Sequence, residues 1–138
     1  MKILVCIDDS EYGEKTAKAG AITAKTFGFE MTLLHVIEDI VKYEEMPNSP
    51  GYNLRKDKAE AILSRSKKVV EEVGKDIKCN ELKAHGTVAS EIVRIAEVGH
   101  YGGIFIGTKG TRGIKRMLLG NVADDVIRHA HCPVTVIR

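Results

Sequence analysis

The chain has no tryptophan, and aromatic residues make up only 5% of its 138 positions. Single-stranded nucleic acid is gripped by stacking bases on aromatic rings, and this sequence has little material for that. A charge imbalance is also missing, since 21 Lys and Arg against 19 Asp and Glu leave a net +2. That value is too small to mark a general nucleic-acid binder. No apolar run approaches the roughly 20 residues of a membrane-spanning helix, so a membrane partner is not expected. The opening "MKILVCIDDS" has one basic residue and an apolar stretch stopped by Asp8, a first strand rather than a signal peptide. A cytoplasmic location is therefore expected. Cys6, Cys79 and Cys132 are three in number and lack metal-type spacing, which points to reduced thiols with no disulfide framework. "NSP" at 48–50 is no glycosylation acceptor because proline stands two residues after Asn48.

What is present is the composition of an ordinary globular protein, 43% hydrophobic and 29% charged. One domain over 1–138 is expected, with no repeat, low-complexity tract or linker. Apolar runs alternate with helical periodicity. "KILVCI", "MTLLHVI", "CNELKAH", "GGIFI" and "PVTVIR" read as five strands. Ala17, Gly20, Ala21, Ala24 and Phe27 mark a first helix ending near Gly28. Residues 38–52, with two prolines, a glycine and several acids, read as an irregular loop. A long helix follows to about Gly74, its buried stripe drawn from Leu54, Ile62, Val69, Val70 and Val73. Thr87 stands as N-cap, with Glu91 early, for a helix buried through Ile92, Ile95 and Ala96. Val122, Ala123, Val126, Ile127 and Ala130 give the last helix.

Strands separated by helices imply an open α/β fold with a parallel sheet, right-handed crossovers and helices on both faces. With strand order 3-2-1-4-5, a ligand crevice lies where the order reverses, beyond the carboxyl ends of strands one and four. Asp8, Asp9 and Ser10 leave strand one. From strand four comes "GTKGTRGIKRMLLGN", residues 107–121, with four glycines, four basic residues (Lys109, Arg112, Lys115, Arg116) and no acid. It is not a P-loop, because no Gly-Lys-Ser/Thr occurs in it. An acid facing a basic, glycine-rich loop suits a nucleotide: the carboxylate accepts ribose hydroxyls, and amides and cations take phosphates. Plainer readings stand beside this one. Asp8 and Ser10 could cap the first helix, the basic residues could be a solvated loop, and Gly120 with Asn121 could be a turn and N-cap.

The same residues resemble the universal stress protein family. Gly107, Gly110 and Gly120 fit its Gly-x2-Gly-x9-Gly-Ser/Thr signature, and "CIDDSEYGEKTAKAG", "LLHVI" and "GIKRMLLGNVADDVIRHAHCPVTVIR" extend the likeness along the whole chain. The resemblance implies a Rossmann-like fold related to the adenine-nucleotide alpha-hydrolases. For the ATP-binding subgroup it implies Asp8, beside Ile7, on the ribose and the Val36 backbone next to the adenine. Ile106 and Gly107 would line the nucleoside. Gly110, Gly120, Asn121 and Val122 would meet phosphates through backbone amides, near Lys109 and Arg112. Asn121 stands where the signature has Ser or Thr, which removes a hydroxyl that could serve phosphate or a bridging metal.

The leading expectation is a stress-response regulator that binds ATP, or AMP or ADP, possibly with Mg²⁺, and is not an enzyme beyond slow hydrolysis. No Walker lysine follows Gly120. The alternative is a nucleotide-free interaction module of the same family. A homodimer through the last strand, an edge rich in β-branched residues, fits both. An adenylating ligase or flavoprotein subunit would need a second domain or cofactor partner. "HAHC" at 129–132 reads as a polar helix end rather than a metal site, and His35 as a hydrogen-bonded core histidine. His85 leaves strand three as a solvent-facing residue or a border of the crevice. The acidic loop is a connector or a lid.

Overall fold

A computed structural model describes residues 1–38, 50–109 and 119–138. Nine elements follow in chain order: β1 (Lys2–Cys6), α1 (Glu11–Phe27), β2 (Glu30–Glu38), α2 (Pro50–Val73), β3 (Cys79–Gly86), α3 (Val88–Val98), β4 (Gly103–Gly107), α4 (Asn121–His129) and β5 (Val134–Ile137). The five strands form one sheet, every neighbouring pair parallel, in the order β3-β2-β1-β4-β5. The expected order and class are those observed.

Alternation along the strands divides the core into two layers. Ile3, Val5, Ile7, Met31, Leu33 and Phe105 pack on one face with Ala17, Ala21 and Ala24 of α1 and Ile62, Leu63 and Val70 of α2. Leu4, Cys6, Leu34, Val36, Ile104 and Ile106 pack on the other with Ile92, Ile95 and Ala96 of α3 and Ala123 and Val126 of α4. Both faces of the central strands are therefore dry, which is why their sequences are nearly unbroken apolar runs. The small residues of α1 bring it close to the sheet: a Cβ on Gly20 would stand 2.6 Å from Val5 Cγ2. The helix stops at Gly28, whose φ of 70° is left-handed and whose N–H caps the Ala24 carbonyl.

Four expectations about the helices and the segment before α2 are corrected. Phe27 is 66% exposed, since the last residue of α1 overhangs the sheet, and it stacks on Phe29 at 5.4 Å. Leu54 is 69% exposed. At about 100° per residue it lies roughly 140° around α2 from Ala59, which with Ile62, Leu63, Ser66 and Val70 forms the buried stripe. The segment read as loop 38–52 is shorter at both ends, because Glu38 closes β2 and Pro50 opens α2. Proline has no N–H to lose at a first helical position, and its fixed φ suits one. The rest of that loop lies outside the described residues. In α4, Val122 and Ile127 are 37% and 44% exposed, leaving Ala123 and Val126 as its buried contacts.

Candidate functional site

A cavity of about 490 Å³ opens where β1, β2 and β4 end. Ile7, Asp8, Val36, Ile106, Gly107, Lys109, Gly120, Asn121 and Val122, all singled out from the sequence, line it together. Gly110 and Arg112 lie outside the described residues.

The β1 side is shaped by the turn into α1. Ser10 is the N-cap, its hydroxyl accepting from Tyr12 N–H at 3.2 Å. Asp8 Oδ1 accepts from Ser10 N–H at 2.9 Å and from the Ser10 hydroxyl. One carboxylate oxygen thus holds the turn, and among the described residues Oδ2 has no hydrogen-bond partner. Capping and ligand contact are compatible at Asp8, where the sequence posed them as alternatives. Gly13 is pressed against this turn, so that a Cβ there would fall on the Asp8 carbonyl oxygen. The adjacent Asp9 points to α2 instead, pairing with Lys58 at 3.1 Å and Arg65 at 3.5 Å.

The β4 side is shaped by Thr108, which is buried at the strand's end. Its N–H and hydroxyl both donate to the Ile137 carbonyl, at 2.8 and 3.2 Å, and its own carbonyl accepts from Gly120 N–H. Gly120 is the N-cap of α4, with extended backbone and no side chain to cap with. Asn121 is the first helical residue rather than the cap. Asp124 N–H makes the first helical bond, to Gly120 O at 3.0 Å. The amides of Asn121, Val122 and Ala123 therefore carry no intrahelical bond at the positive end of the helix. Gly120 differs from expectation: its amide is already spent on Thr108, and Ala123 stands in its place among the available donors.

The universal stress protein family model matches residues 1–138. The chain belongs to the universal stress protein family. It is 35% identical to universal stress protein MJ0531 of Methanocaldococcus jannaschii, over 99% of this chain and 81% of that one. A solved structure of MJ0577, from the same organism, superposes with a TM-score of 0.83 at 33% identity, covering 99% and 94% of the two chains. The universal stress protein of Archaeoglobus fulgidus, solved in complex with dAMP, superposes at 0.76 with 22% identity, over 100% and 98%, a likeness of fold.

In this universal stress protein the floor of the cavity is apolar, formed by Val36, Ile37, Ile92, Val88 and Ile106. Cys6 also borders it, and burial pushes its thiol far above the ordinary range, so it stays protonated. His35 is half-buried at the same place, with Nδ1 donating to the Ile7 carbonyl at 2.9 Å. The expected core hydrogen bond is present, yet the ring also borders the cavity.

A third wall went unread in the sequence. Arg55, Lys58 and Ile62 of α2 line the cavity, as do Tyr12 and Thr16 of α1. Positions 55, 58 and 62 follow i, i+3, i+7 spacing, a signal that could have grouped them on one face. His85 is exposed and stacks on Tyr52 at 6.0 Å rather than lining the cavity. His129 donates Nδ1–H to the Asp125 carbonyl at 2.8 Å, a bond within the last turn of α4.

Proposed function

We propose that this universal stress protein binds an adenine nucleotide, ATP or its AMP or ADP counterparts, in the cleft between β1 and β4 and acts as a regulatory module. The observation that carries the reading is the pairing across one cavity of Asp8 Oδ2 with the amide-rich start of α4. A carboxylate oxygen without a partner accepts ribose hydroxyls, and bare helix amides accept phosphate oxygens. The apolar floor has the character of a site for a planar base. Lys109, Arg55 and Lys58 bring positive charge to the same walls. Mg²⁺, if carried, would rest chiefly on the phosphates, with Asn121 supplying an amide oxygen in place of a hydroxyl. The dAMP complex of the fold neighbour from Archaeoglobus fulgidus is consistent with this ligand class.

Binding rather than turnover is the proposed role, in a cytoplasmic setting. Two of the titratable groups that border the cavity also hold the fold, Asp8 through its Oδ1 to Ser10 and His35 through Ile7. Chromatography and mass analysis of what heat-denatured, freshly purified protein releases tests the proposal, together with calorimetry using ATP and Mg²⁺. Release of an adenine nucleotide or micromolar binding is expected; neither one occurring rejects it.

A second reading, a nucleotide-free module acting as a homodimer, draws on the last strand. β5 has β4 on one side, and among the described residues nothing pairs its other side. The bonds from Ile104 and Thr108 to the carbonyls of Pro133 and Ile137 put those residues' backbone toward β4. Val134 and Val136 then direct theirs outward. Val136→Pro removes an outward donor without touching the β4 ladder. Light scattering should show a dimer for the wild type and a shift toward monomer for the variant.

A further inference from the structure

β3 is 8 residues long and lies at the edge of the sheet, with β2 on one side and nothing among the described residues on the other. All of it is in register with β2, from Met31↔Cys79 to Glu38↔Gly86, without a bulge or a proline. Edge strands are normally cut short or broken, because their open backbone is a template for another strand. β5, at the opposite edge, has only 4 residues. Met31 N–H donates to the Lys78 carbonyl, which sets the alternation along β3. Even-numbered residues direct their backbone to β2, while Cys79, Glu81, Lys83 and His85 direct theirs outward. The Cys79 carbonyl, with no strand to meet, accepts from Lys67 Nζ at 2.7 Å. Side chains alternate too. Lys83 reaches Glu60 of α2 at 3.0 Å, so the odd-numbered side chains lie on the α2 face. Leu82 lies on the other face and is 37% exposed.

Charge selects how a second copy of this edge can meet it. Antiparallel pairing of identical edges sets outward residues opposite one another about a two-fold axis. An axis at Glu81 opposes that residue to itself, and an axis at Lys83 does the same for lysine; like charges directly opposite repel. Axes nearer the strand ends pair less of the edge. An axis at Leu82 sets Glu81 against Lys83 of the second copy, and the leucines against each other at the closely spaced position between. Charges that guard the edge against other strands therefore match its own. We infer that the β3 edge is a self-pairing surface, to which a second copy of this chain adds its β3 antiparallel in the register centred on Leu82. Main-chain bonds at Glu81 and Lys83 join the copies, and the crossed charges fix the register. The contact is one strand wide, which puts it in the weak class that forms at high local concentration. Strands of the two copies run oppositely, so their clefts open toward opposite ends of the joined sheet. Pairing at both β3 and β5 would string copies into an open row rather than close them into a pair. Nothing in the β3 pairing depends on the cleft or its ligand.

Amide hydrogen exchange in the wild-type protein reads the edge directly. The N–H groups of Glu81 and Lys83 should slow several-fold as the protein is raised about a hundredfold toward millimolar concentration, while those of Asn80 and Leu82, already bonded to β2, should not change. Exchange at Glu81 and Lys83 that ignores concentration overturns the inference, and this readout needs no variant to fold. Sedimentation equilibrium tests the register, with every protein in the Val136→Pro background so that β5 does not contribute. Glu81→Lys alone sets lysine against lysine, and Lys83→Glu alone sets glutamate against glutamate; either should weaken association by about tenfold or more. An equimolar mixture of the two single variants opposes lysine to glutamate throughout and should associate as the parent does. The double variant Glu81→Lys/Lys83→Glu, whose charges are only exchanged, should do the same. Single variants that associate like the parent, or a mixture and double variant that fail to recover, overturn the pairing centred on Leu82.

Discussion

On the β1 side of the cleft, what faces a ligand is a side chain; on the β4 side it is backbone. Asp8 presents a carboxylate oxygen because Ser10 ties up its twin and because Gly13 lets α1 start directly against the Asp8 carbonyl. The β4 side has no comparable acid. Thr108 fixes the strand end to Ile137 and receives Gly120, which leaves the first amides of α4 bare. The difference teaches where identity matters. The first wall depends on which residue stands at position 8, whereas the second depends on where the main chain runs and on the absence of side chains at two glycines.

Gly13→Val attacks the support of the first wall and carries the largest expected effect. Its Cβ would overlap the Asp8 carbonyl oxygen, so a loss of about 3 kcal/mol in urea unfolding is expected, together with loss of nucleotide binding. A fully stable variant would show that the turn has slack the geometry denies. Gly107→Val probes the second wall, where a Cβ would stand 2.7 Å from Tyr12 Cβ. Stability should fall by about 1–2 kcal/mol. Affinity should fall more than thirtyfold, because the displaced main chain is itself the binding surface. Calorimetry on the folded variant decides between them.

Asp8→Asn keeps an acceptor for Ser10 but removes the charge, so binding should weaken by about tenfold with little change in stability. Removing the ribose 2′-hydroxyl from the ligand should then cost the variant less than the wild type. Asn121→Ser restores the family's hydroxyl at a first helical position and should alter affinity by no more than about threefold. Its clearer readout is Mg²⁺ dependence, expected to rise. A large change in metal-free affinity would mean that the Asn121 side chain, rather than its amide, meets the ligand.

The same contrast explains what could be read in advance. The unbroken apolar runs "KILVCI" and "GIFI" are local signals that mark strands covered on both faces, whereas the sheet order was supposed along with the open α/β class, and the crevice followed from that order. Asp8 was legible for the same reason, as the first polar residue after an apolar run. Less accessible were the features decided by how elements lie against each other. Arg55 and Lys58 line the cavity only because α2 packs against α1 and β2, and Leu54 is exposed because tertiary packing selected a different stripe. The Gly120 amide could not be assigned from spacing, since a hydrogen bond to Thr108 spends it. His35 makes the core hydrogen bond to Ile7 that its place in a strand suggests, but its position at the cavity is decided by where β1 ends beside it.

The three hydrogen bonds at Thr108 carry a consequence for how this site can change over evolution. They hold the start of α4 by contact with the ends of β4 and β5. A substitution at Asn121 or Val122 therefore changes the side chains at the cavity while the amides of α4 keep their place. Because Thr108 is buried, the anchor belongs to the core, and ligand preference can drift at the helix start while the fold stays as it is.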